Sequence, residues 1–196
     1  MAKRTPVIAY HLIWTGYGHW LPNDPRGSGS HVVRADVLRD LGELHHGRKR
    51  VQPPGRVIRK FSQQAEPRLR FPVLRFNREQ IDVIANTFAE VMTEQRYTCF
   101  ACAIMPDHVH VCIRKHRDKC EQMVAALQGK SRLRLIEHSN FDQDHPVWTA
   151  GNGWSVYLER PEDVYRTIRY VKRNPRVPQI WPFVTEYDNW PFHKNF

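Results

Sequence analysis

The chain has 196 residues, 30 Lys and Arg against 20 Asp and Glu, and a formal net charge of +10. That length suits one well-cored domain with an elaboration and excludes two full domains. No run approaches the ~20 consecutive apolar residues of a membrane span, and the start lacks a signal peptide's apolar core and cleavage site. We therefore expect a cytoplasmic protein with no membrane contact. The basic excess favours a polyanionic partner, nucleic acid first.

In chain order, residues 7–15 (Val-Ile-Ala-Tyr-His-Leu-Ile-Trp-Thr) read as a strand stopped by Gly16. From about 16 to 76 the periodicity dissolves. Residues 21–30 are turn-rich, 31–46 hold at most a short helix, and 47–60 are basic around Pro53-Pro54. We expect an insertion with little regular structure there. Order returns at Asn77, an N-cap whose capping box is completed by Gln80. Ile81, Ile84, Phe88 and Val91 then recur at helical spacing to about Arg96. Strands at 97–104 and 108–114 follow, joined by the tight Met105-Pro106-Asp107 turn. A second helix spans about 118–138 on Met123, Leu127 and Leu135, and carries Lys130, Arg132 and Arg134.

A loop at 139–146 leads through Val147-Trp148 to a strand at 154–158. Pro161-Glu162-Asp163 then opens a third helix that Pro175 ends. The tail at 176–196 is Pro- and Trp-rich, and Trp181, Trp190, Phe192 and Phe196 should pack back onto the domain, the alternative being that they stack on bases. Strand, helix, strand, strand, helix, strand is the ferredoxin-like order. The expected fold class is α+β, an antiparallel sheet with helices on one face, plus an extra helix in the C-terminal region. We take 1–196 as a single domain.

The four cysteines are Cys99, Cys102, Cys112 and Cys120. Cys99 and Cys102 form a C-x-x-C, but three residues apart on a strand they point to opposite faces unless a bulge intervenes. They read as small buried hydrophobes.

His108 and His110 read, taken alone, either as a pair on a solvated strand face or as the start of a metal site. On a strand they project from one side, about 7 Å apart along the backbone. Two such imidazoles make half of a divalent-metal site and need one or two further ligands. On the third helix, Val164, Ile168 and Val171 form the apolar stripe at about 100° per residue. Tyr170 and Asn174 share a different face, one turn apart. Arg166, Arg169, Lys172 and Arg173 fill most of the remaining circumference, and Tyr165 is a competing candidate off the stripe. This combination suggests phosphoryl transfer. A phenol, with a pKa near ~10, is a poor nucleophile at neutral pH, but it can attack a metal-polarised phosphate surrounded by cations. Asn174 is a reasonable third ligand beside His108 and His110, and either Mg²⁺ or Mn²⁺ accepts such a mixed nitrogen and oxygen set.

Pro106-Asp-His-Val-His110, the first strand with Tyr10-His11, and Tyr170-Val-Lys-Arg-Asn174-Pro175 together resemble the single-tyrosine HUH transposases. These are the insertion-sequence type and, more closely, their REP-associated relatives. Asn174 stands where insertion-sequence members usually carry Gln and REP-associated ones carry Asn. The resemblance implies a metal-dependent endonuclease and strand transferase on single-stranded or hairpin DNA. Tyr170 would form a 5′-phosphotyrosine link and release a 3′-hydroxyl; His108 and His110 match the metal pair; Lys130 lies in a helix that approaches DNA in relatives. Relatives include monomers and dimers, so a homodimer stays open. The 16–76 stretch is far longer than the usual connection, and its basic residues (Arg26, Arg34, Arg39, Arg48, Lys49, Arg50, Arg56, Arg59 and Lys60) either grip DNA, the reading we favour, or serve only to keep a mobile loop soluble. Two alternatives remain: a nucleic-acid-binding protein of this fold without cleavage, and a metallohydrolase with a water nucleophile.

Overall fold

A computed structural model describes residues 6–28, 36–139, 141–151 and 153–174. The C-terminal tail, Pro175 included, and its expected packing lie outside the described residues. The main sheet has four strands: β1 (Ala9–Thr15), β4 (Cys99–Ile104), β5 (His108–Arg114) and β6 (Trp154–Leu158). Their order is β4-β5-β1-β6, and every pairing is antiparallel. Helices α2 (Arg78–Gln95) and α3 (Cys120–His138) lie between strands in sequence, and α4 (Pro161–Arg173) follows the last strand. This is the α+β, ferredoxin-like arrangement expected from the element order.

Strand alternation divides the sheet into two faces. Tyr10, Leu12 and Trp14 of β1 meet Val109, Val111 and Ile113 of β5 in the larger core, which α2 and α3 complete with Ile81, Ile84, Phe88, Met123 and Leu127. The α2 start is the predicted capping box: Asn77 Oδ1 accepts from the Gln80 amide, and Gln80 Oε1 from the Asn77 amide, both at 2.9 Å. The opposite face is not left free. Val164 and Val171 of α4 pack there against Ala9, Ala101, Ala103 and Cys112 in a second, smaller core. Short side chains on the strands let the helix come close to the sheet.

Two expectations need correction. A bulge between Cys99 and Ala101 shifts the β4–β5 register, so Cys99 and Cys102 both enter the larger core rather than opposite faces. All four cysteines are free and buried, and burial pushes the Cys99 and Cys102 thiols well up, in keeping with inert apolar side chains. The 16–76 stretch is also more regular than its sequence suggests. It holds a two-stranded ribbon, β2 (Gly27–Ser28) with β3 (Gly47–Arg48), a 3-10 turn at Asp36–Leu41, and helix α1 (Gly55–Ala65). Leu21, Leu38, Phe61 and Ala65 give it a small core of its own. Only Phe61 and Ala65 of α1 are buried, too short a stripe to stand out among the surrounding basic residues.

Because Phe88 is fully buried between α2 and the sheet and touches the Trp14 ring, Phe88→Ala should cost ~3–5 kcal/mol of unfolding free energy. Val51→Ala, at a position that is 85% exposed, should stay within ~0.5 kcal/mol. Urea denaturation of the two variants checks the pair.

Candidate active site

The histidines face the α4 side. In the β1–β5 register Ile13 lies opposite His110 and Thr15 opposite His108, so the even positions of β5 share a face with the odd positions of β1. His11 belongs to that face too, and its Nε2 lies 2.9 Å from His110 Nδ1 in a buried hydrogen bond. Burial favours the neutral form of both rings. It takes His11 down to about 4, and it takes His110 well below its ordinary value, with the neighbouring His108 and His11 adding to the effect. Neutral imidazoles are the form that binds a metal.

His108 sits at the turn, and its Nδ1 is 2.6 Å from Asp107 Oδ1. Burial alone would raise the Asp107 carboxyl, but the hydrogen bond and charge of His108, with the charges of His19 and Arg75, hold it at about 2. The turn is fastened to the end of β1, where the Gly16 amide donates to the Asp107 carbonyl at 2.8 Å. Each histidine of the pair thus has its Nδ1 engaged by a neighbouring side chain.

Helix α4 brings the tyrosine. The Tyr170 ring, 50% exposed, stands edge-on to His110 at 5.5 Å and to His11 at 5.8 Å between centroids. Asn174, at the helix end, is half-buried, and its Nδ2 is buried with no hydrogen-bond partner among the described residues. His108, His110, Tyr170 and Asn174 line one cleft of about 460 Å³. Tyr165, the competing candidate, is exposed elsewhere on α4 and lines no part of it.

The far wall comes from the insertion and from β6: Trp20, Arg26, Arg48 and Trp154 line the same cleft. Arg26 is braced, its Nε and Nη2 donating to the two carboxylate oxygens of Asp24 at 2.9 and 2.6 Å and its guanidinium lying 4.1 Å over the Trp20 ring. Such a pairing fixes the planar group in place. Gly27, at φ +110, permits the adjoining ribbon, since a Cβ there would overlap the Gly47 carbonyl oxygen. Trp20 itself holds a positive φ of 48°, a conformation uncommon for a bulky residue and often found where function sets the geometry.

The basic residues divide by face. Lys130 pairs with Glu94 at 2.6 Å and Glu90 at 3.2 Å, and Arg134 with Glu137 at 3.2 Å and Glu90 at 3.6 Å. Arg132 donates from Nε to the His145 carbonyl at 2.8 Å. These three stand on the α2–α3 side of the sheet, away from the cleft. Arg166, Arg169, Lys172 and Arg173 are exposed around α4, with Arg166 3.2 Å from Asp163.

Among the described residues no three His, Cys, Asp or Glu side chains converge as a metal cluster. The fitting donor set is therefore two imidazoles and an amide. His108 and His110 are each engaged through Nδ1, so Nε2 is the nitrogen either ring could offer to an ion, and Asn174 is a half-buried amide on the same cleft. That set suits a divalent ion that accepts nitrogen and oxygen. His11, Asp107, Trp20, Arg26, Arg48 and Trp154 were not singled out as site residues from sequence. Asp107 was legible as the neighbour of His108 and His11 as an inward histidine on the adjoining strand; nothing local marked Arg26 or Arg48 among the insertion's many cations.

No curated protein matches the sequence. Among solved structures, one similar fold is a REP-associated tyrosine transposase bound to a REP hairpin, with 8% identity, TM-score 0.45, and coverage of 90% of this chain and 72% of that one. Another is a Deinococcus radiodurans R1 protein described as a transposase, with 17% identity, TM-score 0.40, and coverage of 89% and 95%. The family model described as "Transposase IS200 like" matches residues 67–173, more than half of the chain and the whole span from before α2 through the tyrosine helix. The chain belongs to the IS200-like transposase family.

Proposed function

We propose that this transposase is a metal-dependent endonuclease and strand transferase of the HUH type, acting on single-stranded or hairpin DNA through a 5′-phosphotyrosine intermediate. The observation that carries the reading is the meeting of Tyr170, His108, His110 and Asn174 in one cleft of one chain. A single copy suffices for the chemistry, with no need of a homodimer to exchange the tyrosine helix. The place of action we propose is the cytoplasm; among the described residues no helix is long and apolar enough to cross a membrane.

The residues divide the work. Tyr170, half-exposed at the cleft mouth, attacks the scissile phosphorus through its phenolic oxygen. The phosphorus–O3′ bond breaks as the phenol gives up its proton, and the departing 3′-oxygen takes up one proton in turn and leaves as a hydroxyl. A divalent ion, Mg²⁺ or Mn²⁺, held by His108, His110 and Asn174 would polarise the phosphate as a Lewis acid. In reverse, a 3′-hydroxyl attacks the phosphotyrosine, freeing Tyr170 and joining strands, so no external energy source is consumed. Arg26 and Arg48 hold the strand backbone along the far wall, Trp20 and Trp154 offer faces on which bases can stack, and Arg166, Arg169, Lys172 and Arg173 extend the basic surface along α4. Lys130, Arg132 and Arg134 add to the long-range field that draws DNA in.

Tyr170→Phe should abolish the covalent protein–DNA adduct and lower strand cleavage at least ~10³-fold while leaving DNA binding intact. Denaturing gels with end-labelled oligonucleotides and Mn²⁺ read both quantities. Full cleavage by Tyr170→Phe without adduct would assign a water nucleophile, and an absence of cleavage by the parent protein would leave a DNA-binding protein only. Arg26→Ala and Arg48→Ala should each weaken single-stranded DNA binding, and each should reduce the slope of log affinity against log salt by ~0.7, one phosphate contact apiece. Fluorescence anisotropy over a salt series measures that slope.

A further inference from the structure

His11 has no part in the reaction just described, yet it is hydrogen-bonded directly to one member of the histidine pair. It is 8% exposed and His110 5% exposed. Their rings are tilted by 30° with centroids 5.1 Å apart, and the single polar contact between them is His11 Nε2 to His110 Nδ1 at 2.9 Å. In a bond between two neutral imidazoles, one nitrogen carries the proton and the other accepts it. If His11 donates, His110 carries its own proton on Nε2 and has no lone pair there. If His11 accepts, His110 is protonated on Nδ1 and its Nε2 is open. The choice of tautomer at His11 therefore decides whether His110 can serve as a ligand.

The other histidine shows the same construction. His108 Nδ1 meets the Asp107 carboxylate at 2.6 Å, an ionised oxygen that can only accept. In the neutral His108 ring that contact puts the proton on Nδ1 and leaves Nε2 open. A ligating histidine generally donates its second ring N–H to such an outer partner, and removal of that partner weakens metal binding by ~10–100-fold.

We propose that His11 is a positioning residue for the divalent ion: protonated on Nδ1, it accepts the Nδ1–H of His110 and holds His110 Nε2 unprotonated, as Asp107 does for His108. The inference rests on the metal-site reading above. It gives a role to a histidine on the first strand, which contributes no ligand through the nitrogen it spends on His110. Through its edge contact with Tyr170, the same ring also links the ligand pair to the nucleophile's helix.

The test is Mn²⁺ binding to the DNA-free protein by isothermal titration calorimetry, with folding checked by circular dichroism. His11→Leu removes the acceptor and should weaken Mn²⁺ by ~10–100-fold, whereas His11→Gln keeps an acceptor oxygen and should recover most of the loss. Wild-type affinity in His11→Leu would overturn the proposal, as would equal loss in both variants, which would assign His11 to packing alone. Should His11→Leu fail to fold, imidazole ¹⁵N shifts of the Mg²⁺-loaded parent protein decide instead. Protonation of His11 on Nδ1 and of His110 on Nδ1 is expected, and the reverse arrangement refutes it. His108→Ala separates the two levels. If it binds Mn²⁺ as the parent does, the ion lies elsewhere and the metal-site reading falls with the inference. If it binds none while His11→Leu binds normally, only the inference falls.

Discussion

The pairing of β1 with β5 is the constraint on which the site depends. Side chains alternate at a period of two, so Val109, Val111 and Ile113 go to the larger core only if His108, His110 and Cys112 go to the opposite face. A one-residue slip would drive the histidines into the apolar layer against α2 and α3 and expose the valines. The burial of Leu12 opposite Val111 and Trp14 opposite Val109 is thus what aims the imidazoles. Packing energy, spread over many apolar contacts, fixes the positions of a few polar atoms that contribute little stability themselves.

The same face has to accept a helix. Ala9, Ala101, Ala103 and Cys112 present small side chains to Val164 and Val171, so α4 seats closely and its following turns carry Tyr170 and Asn174 over the histidines. The apolar stripe and the Tyr170–Asn174 face of α4 diverge around the helix, which lets one side pack while the other looks into the cleft. The insertion then supplies the wall that α4 does not. Its own small core around Phe61 and Leu38 and its backbone ties to the rest of the domain, Tyr17 to Val147 and Phe76 to Pro106 at 2.8 and 2.7 Å, seat the insertion against the cleft, where Asp24 and Trp20 brace Arg26.

What the sequence revealed follows the range of the interactions involved. The capping box at Asn77, the stripe of α2, the turn before His108 and the end of α4 are set by neighbours a few residues apart, and each was legible from spacing. The order of elements implied the sheet, because strand and helix periods alternate in the ferredoxin-like sequence. The bulge at Cys99–Ala101 left no local mark, since a single extra residue in an apolar run changes no periodicity, and it moved both cysteines to one core. Helix α1 stayed hidden because it buries only two side chains. His11 was visible as a residue but not as a participant. Its contact with His110 spans 99 positions, and only a strand register, which the sequence does not state, brings the rings together.

The electrostatic design of the cleft is coherent with the chemistry proposed for it. A cation held by carboxylates has much of its charge cancelled before it meets a phosphate, whereas two neutral imidazoles and an amide leave that charge almost intact. Burial keeps His11 and His110 neutral, so these two rings add no repelling positive charge where the ion would sit. The carboxylate that touches the pair, Asp107, holds His108 through Nδ1 and itself lines the cleft. The opposing wall carries Arg26, whose own partner Asp24 is buried behind it. A neutral ligand set also raises the demand on outer partners, because an imidazole attracted only weakly by its neighbours has to be oriented by hydrogen bonds. In the proposed site the two Nδ1 contacts would answer that demand, and they would account for a histidine on the first strand buried against the pair.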